Sequence, residues 1–289
     1  MEKLYISTTF AKDGTPLIDA LRQCESESIQ NIEIGSNHCY QTSYDYLNDF
    51  SFNYLVHNYF PIPKNSFVLN IASFDEQIRS MSIAHIKKAI DLCVQIDAGL
   101  YTFHPGFLTD PSGSNQSQKN YDFQWDESQL GNTNYKKATS NIFSALDDII
   151  KYAQSRKIKI AIETEGSLKK KNHLLMQQPW EYDILLNKYS SSDLGINLNI
   201  GHLNLASKAF GFDPLDFVNL ISNSISSMEL SHNDGVEDQH LPLINDSWYW
   251  EIILNPIFDD CYKILEFRNT SIKNIKENIS LFLGKKVAV

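Results

Sequence analysis

What this 289-residue chain has little of narrows the field first. Cysteine is scarce: Cys24, Cys39, Cys93 and Cys261 show no CxxC spacing, and each lies within or beside a predicted element. That argues against a disulfide framework or a cysteine-ligated metal and implies reduced, mostly buried thiols. Positive charge is short as well. Lys and Arg number 25 against 35 Asp and Glu, for a net charge of −10 spread along the chain rather than gathered in a tail. A protein that grips duplex DNA carries a basic footprint, because phosphate neutralisation supplies most of its affinity. None is visible, and no nucleic-acid partner is expected. No apolar run approaches the ~18 residues of a membrane span. The start, MEKLYISTTF, lacks a basic region followed by a long apolar stretch. A soluble, cytoplasmic protein is therefore expected. No Pro/Gly/Ser linker divides the chain and no short-period repeat recurs, so residues 1–289 read as one domain.

What is present is an alternation. Short strand-like runs occur near 3–7, 31–35, 54–58, 100–104, 158–163, 194–199, 226–231 and 262–267. Between them lie amphipathic stretches such as SIAHIKKAIDLCVQI and KATSNIFSALDDIIKYAQSR, with apolar residues at helical spacing. Strands alternating with helices are the pattern of a parallel sheet with crossover helices, and eight of them close a (β/α)8 TIM barrel. Two connections stand out. Residues 105–135 are polar and carry Phe123 and Trp125; this loop follows the fourth strand and reads as either a lid or a mobile insertion. A second loop near 167–180 carries Lys169, Lys170 and Lys171, a solvated face or a device for attracting an anionic substrate.

Histidines and carboxylates sit at or just past the ends of these runs: His57, His104, Glu163, Asn199 with His202, Asp238 with His240, and Glu266. In a parallel barrel such positions gather at one rim, and His with carboxylate is the ligand set of a divalent transition metal. Asp238 and His240, two apart, point the same way if the segment is extended. Glu165, two beyond Glu163, competes for the same role. His232 reads as a substrate contact and Glu33 as a structural or substrate-contacting acid. His38, His85 and His173 have no supporting context and read as surface residues. Phe10, Tyr59, Phe60 and Trp248 to Trp250 read as core or lid packing.

The ordered pieces HPG, IETEGS, GH, DQH and a C-terminal glutamate resemble the xylose isomerase-like barrel superfamily, which includes sugar phosphate isomerases and epimerases and endonuclease IV. The resemblance spans nearly the whole chain. By position it implies a first metal on His57, His104 and Glu163. It implies a second on Glu163, Asn199, Glu229 and Glu266, and a third on His202, Asp238 and His240. Simpler epimerase-like members keep only the second, flanked by two glutamates that correspond to Glu163 and Glu266. Two positions depart: Asn199 stands where the family has aspartate, and Glu229 where it has histidine. An all-oxygen second position favours Mn²⁺ or Mg²⁺ over Zn²⁺, whereas the His-rich positions suit Zn²⁺.

The expected activity is a metal-dependent isomerisation or epimerisation of a small carbohydrate, sugar or sugar phosphate. In it Glu163 and Glu266 exchange a proton on opposite faces of the substrate, their pKa values raised by burial. The alternatives are an endonuclease IV-like multi-metal phosphoesterase and a sugar-binding barrel whose catalysis is impaired at Asn199.

Overall fold

Each predicted strand forms, because each run supplies β-branched and aromatic residues of the right length. In the computed structural model, which describes residues 3–110, 132–166 and 174–287, they are β1 (Leu4–Ser7), β2 (Asn31–Ile34), β3 (Asn53–His57), β4 (Tyr101–Phe103), β5 (Ile160–Glu163), β6 (Gly195–Asn199), β7 (Ile225–Leu230) and β8 (Tyr262–Leu265). All pair in parallel, in sequence order, and β8 closes on β1. Outside run α1 (Leu17–Ser26), α2 (Glu76–Gln95), α3 (Asn132–Arg156), α4 (Pro179–Lys188), α5 (Ile200–Phe210), α6 (Pro214–Ile221), α7 (Trp250–Ile253) and α8 (Ile272–Val287). A short 3-10 turn, Asp45–Asp49, takes the place of a helix between β2 and β3. Among the described residues no helix is long and apolar enough to cross a membrane.

Strand periodicity divides the barrel interior into two levels. Tyr5, Leu55, Leu100, Ala161 and Ile264 form a separate apolar cluster inside the barrel. Two residues further along the same strands, on the same face, stand Ser7, His57, Thr102, Glu163 and Glu266. The lower level is therefore a dry floor and the upper one a polar ring. The large core lies between the outer strand faces and the helices, and contains Phe10, Phe60, Tyr249 and Trp250.

Local chemistry fixes where elements begin. Asp75 caps α2 through the Gln77 and Ile78 amides, and Pro179 and Pro214 open α4 and α6. Helix α3 starts at Asn132, so the connection after β4 is shorter than the 105–135 read from its polarity. Residues 111–131, with Phe123 and Trp125, lie outside the described residues, as do Lys169 to Lys171 and His173. The four cysteines are free, and all but Cys39 are buried.

Two histidines assigned to the surface are in fact buried. His38 bridges the Thr15 carbonyl (2.9 Å) and the Thr8 hydroxyl (2.8 Å), tying the segment after β2 to that after β1. His85, on α2, packs its ring against Tyr59 and Phe67. A lone imidazole gives no signal of burial when the partner that satisfies it lies in another segment.

Because Leu55 lies in this floor two residues before His57 on the same strand, Leu55→Ala should cost about 2–5 kcal/mol, the range for a buried leucine that leaves a cavity. Urea denaturation reads this directly; a loss below about 1 kcal/mol would show that the floor collapses around the gap.

Candidate metal centre

The strands deliver two His-rich clusters to one rim. The first joins β3, β4 and β5. His104 Nε2 lies 3.3 Å from Glu163 Oε2, and His57 Nε2 lies 3.7 Å from the same oxygen. The opposite nitrogen of each ring is held from outside: His57 Nδ1 by the Thr102 hydroxyl at 2.8 Å, His104 Nδ1 by Glu165 Oε1 at 2.5 Å. Such outer partners fix which nitrogen faces a metal and raise its basicity.

The second cluster joins α5 to the segment between β7 and β8. Asp238 Oδ2 lies 3.6 Å from His202 Nε2 and 3.0 Å from His240 Nε2. The far nitrogens again face protein oxygens. His202 Nδ1 faces the Thr164 carbonyl at 2.9 Å, and His240 Nδ1 lies 3.0 Å from Glu266 Oε2. His202 reaches the rim because α5 begins with no loop after β6, placing it in the first helical turn. Asp238 and His240 are carried by a hairpin that closes where His232 and Leu241 exchange backbone hydrogen bonds. Glu163 links the clusters, its Oε1 lying 3.1 Å from His202 Nδ1.

Between them sits a different arrangement. A register shift between Ile196 and Asn197 pairs Asn197 with Ser227 and Asn199 with Glu229. Four polar side chains thus stand side by side on the inner face. Ser227 donates to Asn197, whose amide donates to Glu229 Oε1 at 2.6 Å. The Asn199 amide donates to Glu163 Oε1 (3.0 Å) and Glu229 Oε2 (2.9 Å), while its oxygen caps α5 by accepting from His202 N. Asn199, expected to offer an oxygen to a metal, presents its N–H group to the site. Glu33 is fully buried nearby on β2, and neither of its oxygens meets an aligned donor.

Two short motifs now have a physical cause. In HPG, Gly106 adopts φ +103°, and a Cβ there would lie 2.3 Å from Asn70 Oδ1. In ETEG, a Cβ on Gly166 would lie 2.4 Å from the His202 carbonyl oxygen, so that glycine lets β5 approach α5. Glu165 and Thr102 act on the histidines rather than in place of Glu163, and Arg268, whose Nη1 lies 3.9 Å from Asp238 Oδ2, had not been singled out. His232 is half-buried beside Tyr249.

Burial and charge act against each other at this rim. Burial alone would push the His104 and His240 imidazoles down, but the carboxylates around them prevail and raise each to about 9. His202 is raised too, by Asp238 and Glu163 against its burial. Burial prevails at His57, which falls to about 4. Burial raises the Glu33 and Glu229 carboxyls, and neighbouring carboxylates raise them further. Glu163 and Glu266 behave differently. Burial does push them up, but Glu163 is held well below the ordinary carboxylate range by His104, His202 and His57. Glu266 is held at about 2 by His240 and His57.

The donor set fits a divalent cation. His57, His104 and Glu163 form one group of convergent ligand atoms, and His202, Asp238 and His240 another. Buried atoms left without an aligned hydrogen bond include Glu163 Oε2, Asp238 Oδ1, His240 Nδ1 and Glu266 Oε2. Such orphans at a polar rim are the mark of an atom still to be supplied.

The model of the xylose isomerase-like TIM barrel family matches residues 42–283, and the chain belongs to that family. It is 25% identical over 178 residues to the uncharacterized protein MJ1311 of Methanocaldococcus jannaschii, a match covering 61% of this chain and 52% of that one. The chain thus spans about half the length of that relative. Among solved structures it resembles a D-tagatose 3-epimerase-like protein, with TM-score 0.75 and 19% identity over 99% of this chain and 97% of that one. It also resembles endonuclease IV from Thermus thermophilus, with TM-score 0.64 and 13% identity over 99% of each. At these identities the likeness is one of fold.

The raised histidines give a pH dependence. Ligating nitrogens must be deprotonated, and His104 and His240 hold their protons up to about pH 9. Metal uptake at pH 7 should therefore release protons, and apparent affinity should rise with pH until about 9. Calorimetric titration in buffers of different ionisation enthalpy measures the release; a buffer-independent enthalpy would contradict it.

Proposed function

We propose that the protein is a metal-dependent enzyme that isomerises or epimerises a sugar or sugar phosphate, using Glu163 and Glu266 as its proton-handling carboxylates. The observation that carries this reading is the chain of contacts joining the two. It runs Glu163, His202, Asp238, His240, Glu266, with successive separations of 3.1, 3.6, 3.0 and 3.0 Å, along one buried rim.

On this reading a divalent cation held by His57, His104 and Glu163, or by His202, Asp238 and His240, would polarise the substrate carbonyl and hydroxyl as a Lewis acid. The protein's own groups do the rest. One glutamate takes the proton from the carbon beside the carbonyl, and its counterpart returns a proton to the same carbon from the other face or to the adjacent carbon. The apolar floor excludes water from below, and His232 and Glu33 are the proposed substrate contacts.

A second reading, multi-metal phosphoester hydrolysis, is favoured by one observation: both His-rich ligand groups are complete. The net charge of −10 weighs against a nucleic-acid substrate.

The test is solvent deuterium incorporation, by NMR, into a panel of ketoses, aldoses and their phosphates. Label should enter the carbon beside the carbonyl with the metal-loaded protein. Glu163→Gln and Glu266→Gln should each slow it by roughly 10²–10⁴-fold, the usual share of a general acid–base group, while circular dichroism stays unchanged. Undiminished exchange in Glu163→Gln would end the proposal. Incision of an abasic-site duplex at catalytic protein levels would promote the second reading.

A further inference from the structure

Orphaned polar atoms are not spread evenly over the rim. Glu163 Oε2 faces His57 and His104; Asp238 Oδ1, His240 Nδ1 and Glu266 Oε2 belong to the other cluster; Glu33 Oε1 and Oε2 stand on β2, outside both. Between β6 and β7 the side chains of Asn197, Asn199, Ser227 and Glu229 all have hydrogen-bond partners. Glu229 accepts from Asn197 on one oxygen and from Asn199 on the other. Ser227 satisfies the Asn197 oxygen.

Asn199 cannot turn its oxygen inward without loss. Its Oδ1 accepts the His202 N–H that α5 leaves open at its start. A flipped amide would set Nδ2–H against that N–H and point Oδ1 at two carboxylates. The orientation is set by the helix start, and it aims a donor at the place where a cation shared by Glu163 and Glu229 would stand.

We infer that the Asn199 amide stands in for a central cation between Glu163 and Glu229, so that this chain binds cations at the two His-rich clusters and not between them. The inference rests on reading the rim as a metal centre. It assigns Asn199 and Glu229 to the scaffold that holds Glu163 in place rather than to the ligand set. In the remaining convergent group, Glu33, His57 and Glu229, only Glu33 has oxygens without a partner: His57 Nδ1 is taken by Thr102, and both Glu229 oxygens by amides.

The experiment counts metals instead of measuring turnover. Protein stripped with chelator is titrated with Zn²⁺ and, separately, Mn²⁺, and bound metal is measured by calorimetry and by elemental analysis after desalting. The wild-type chain should bind two ions. Asn199→Asp keeps a cap of equal quality for α5 but replaces the N–H donor with a third carboxylate oxygen facing Glu163 and Glu229, so it should bind three. Three ions in the wild type, or two in the variant, overturns the inference. No ion in either overturns the metal-centre reading itself, a distinct result. Should Asn199→Asp not fold, anomalous difference maps of wild-type crystals soaked in each metal decide. Peaks confined to the two His-rich clusters support the inference, and a peak within about 2.2 Å of a Glu229 or Asn199 oxygen overturns it.

Discussion

Burying carboxylates is expensive, and this barrel buries several in one place. Glu33, Glu163, Glu165, Glu229 and Glu266 are all nearly inaccessible, and Asp238 is the most open of the acids at the rim. An isolated ionised carboxylate would neutralise rather than remain charged in such surroundings. Each acid meets this constraint differently. Glu163, Asp238 and Glu266 gather imidazoles; Glu165 takes one ring nitrogen; Glu229 collects amide donors; Glu33 has no aligned donor, and burial raises its carboxyl. Most of the upper barrel, from Thr102 to the register shift beside Ser227, exists to satisfy those demands.

The same requirement explains why the interior is layered. Below the polar ring, the cluster of Tyr5, Leu55, Leu100, Ala161 and Ile264 fills the barrel with apolar side chains that, the Tyr5 hydroxyl apart, ask for no hydrogen-bond partner. Strand period then guarantees the separation, since a residue two places further along a strand returns to the same face one level higher. Helices contribute from outside, and α5 contributes twice: its first turn supplies His202, and its open amide orients Asn199.

Much of this could be read from the chain. The strands were legible because their apolar runs are short, β-branched and bounded by polar turns. His57, His104, Glu163 and Glu266 stood out because each terminates or follows such a run. The outer partners were not legible: Thr102 and Glu165 become significant only once β3, β4 and β5 lie side by side. His38 and His85 were misread because their partners, Thr8 and Thr15 for one and Tyr59 and Phe67 for the other, come from other segments. The start of α3 was hidden because NTNYK carries too little apolar content to show helical period. The orientation of the Asn199 amide follows from a helix cap and two carboxylates on other strands, which no spacing encodes.

The two His-rich clusters differ in what carries them. His57 and Glu163 end strands and His104 follows one directly, so that trio inherits the barrel's stiffness. Two members of the other trio, Asp238 and His240, ride on the hairpin closed at His232 and Leu241, and His240 holds a left-handed backbone at φ +46° to face inward. Opening a short hairpin needs far less than distorting a closed sheet. The rim thus sets a trio carried by the sheet against a trio carried largely by a hairpin, so the second depends on far fewer strand hydrogen bonds for its geometry.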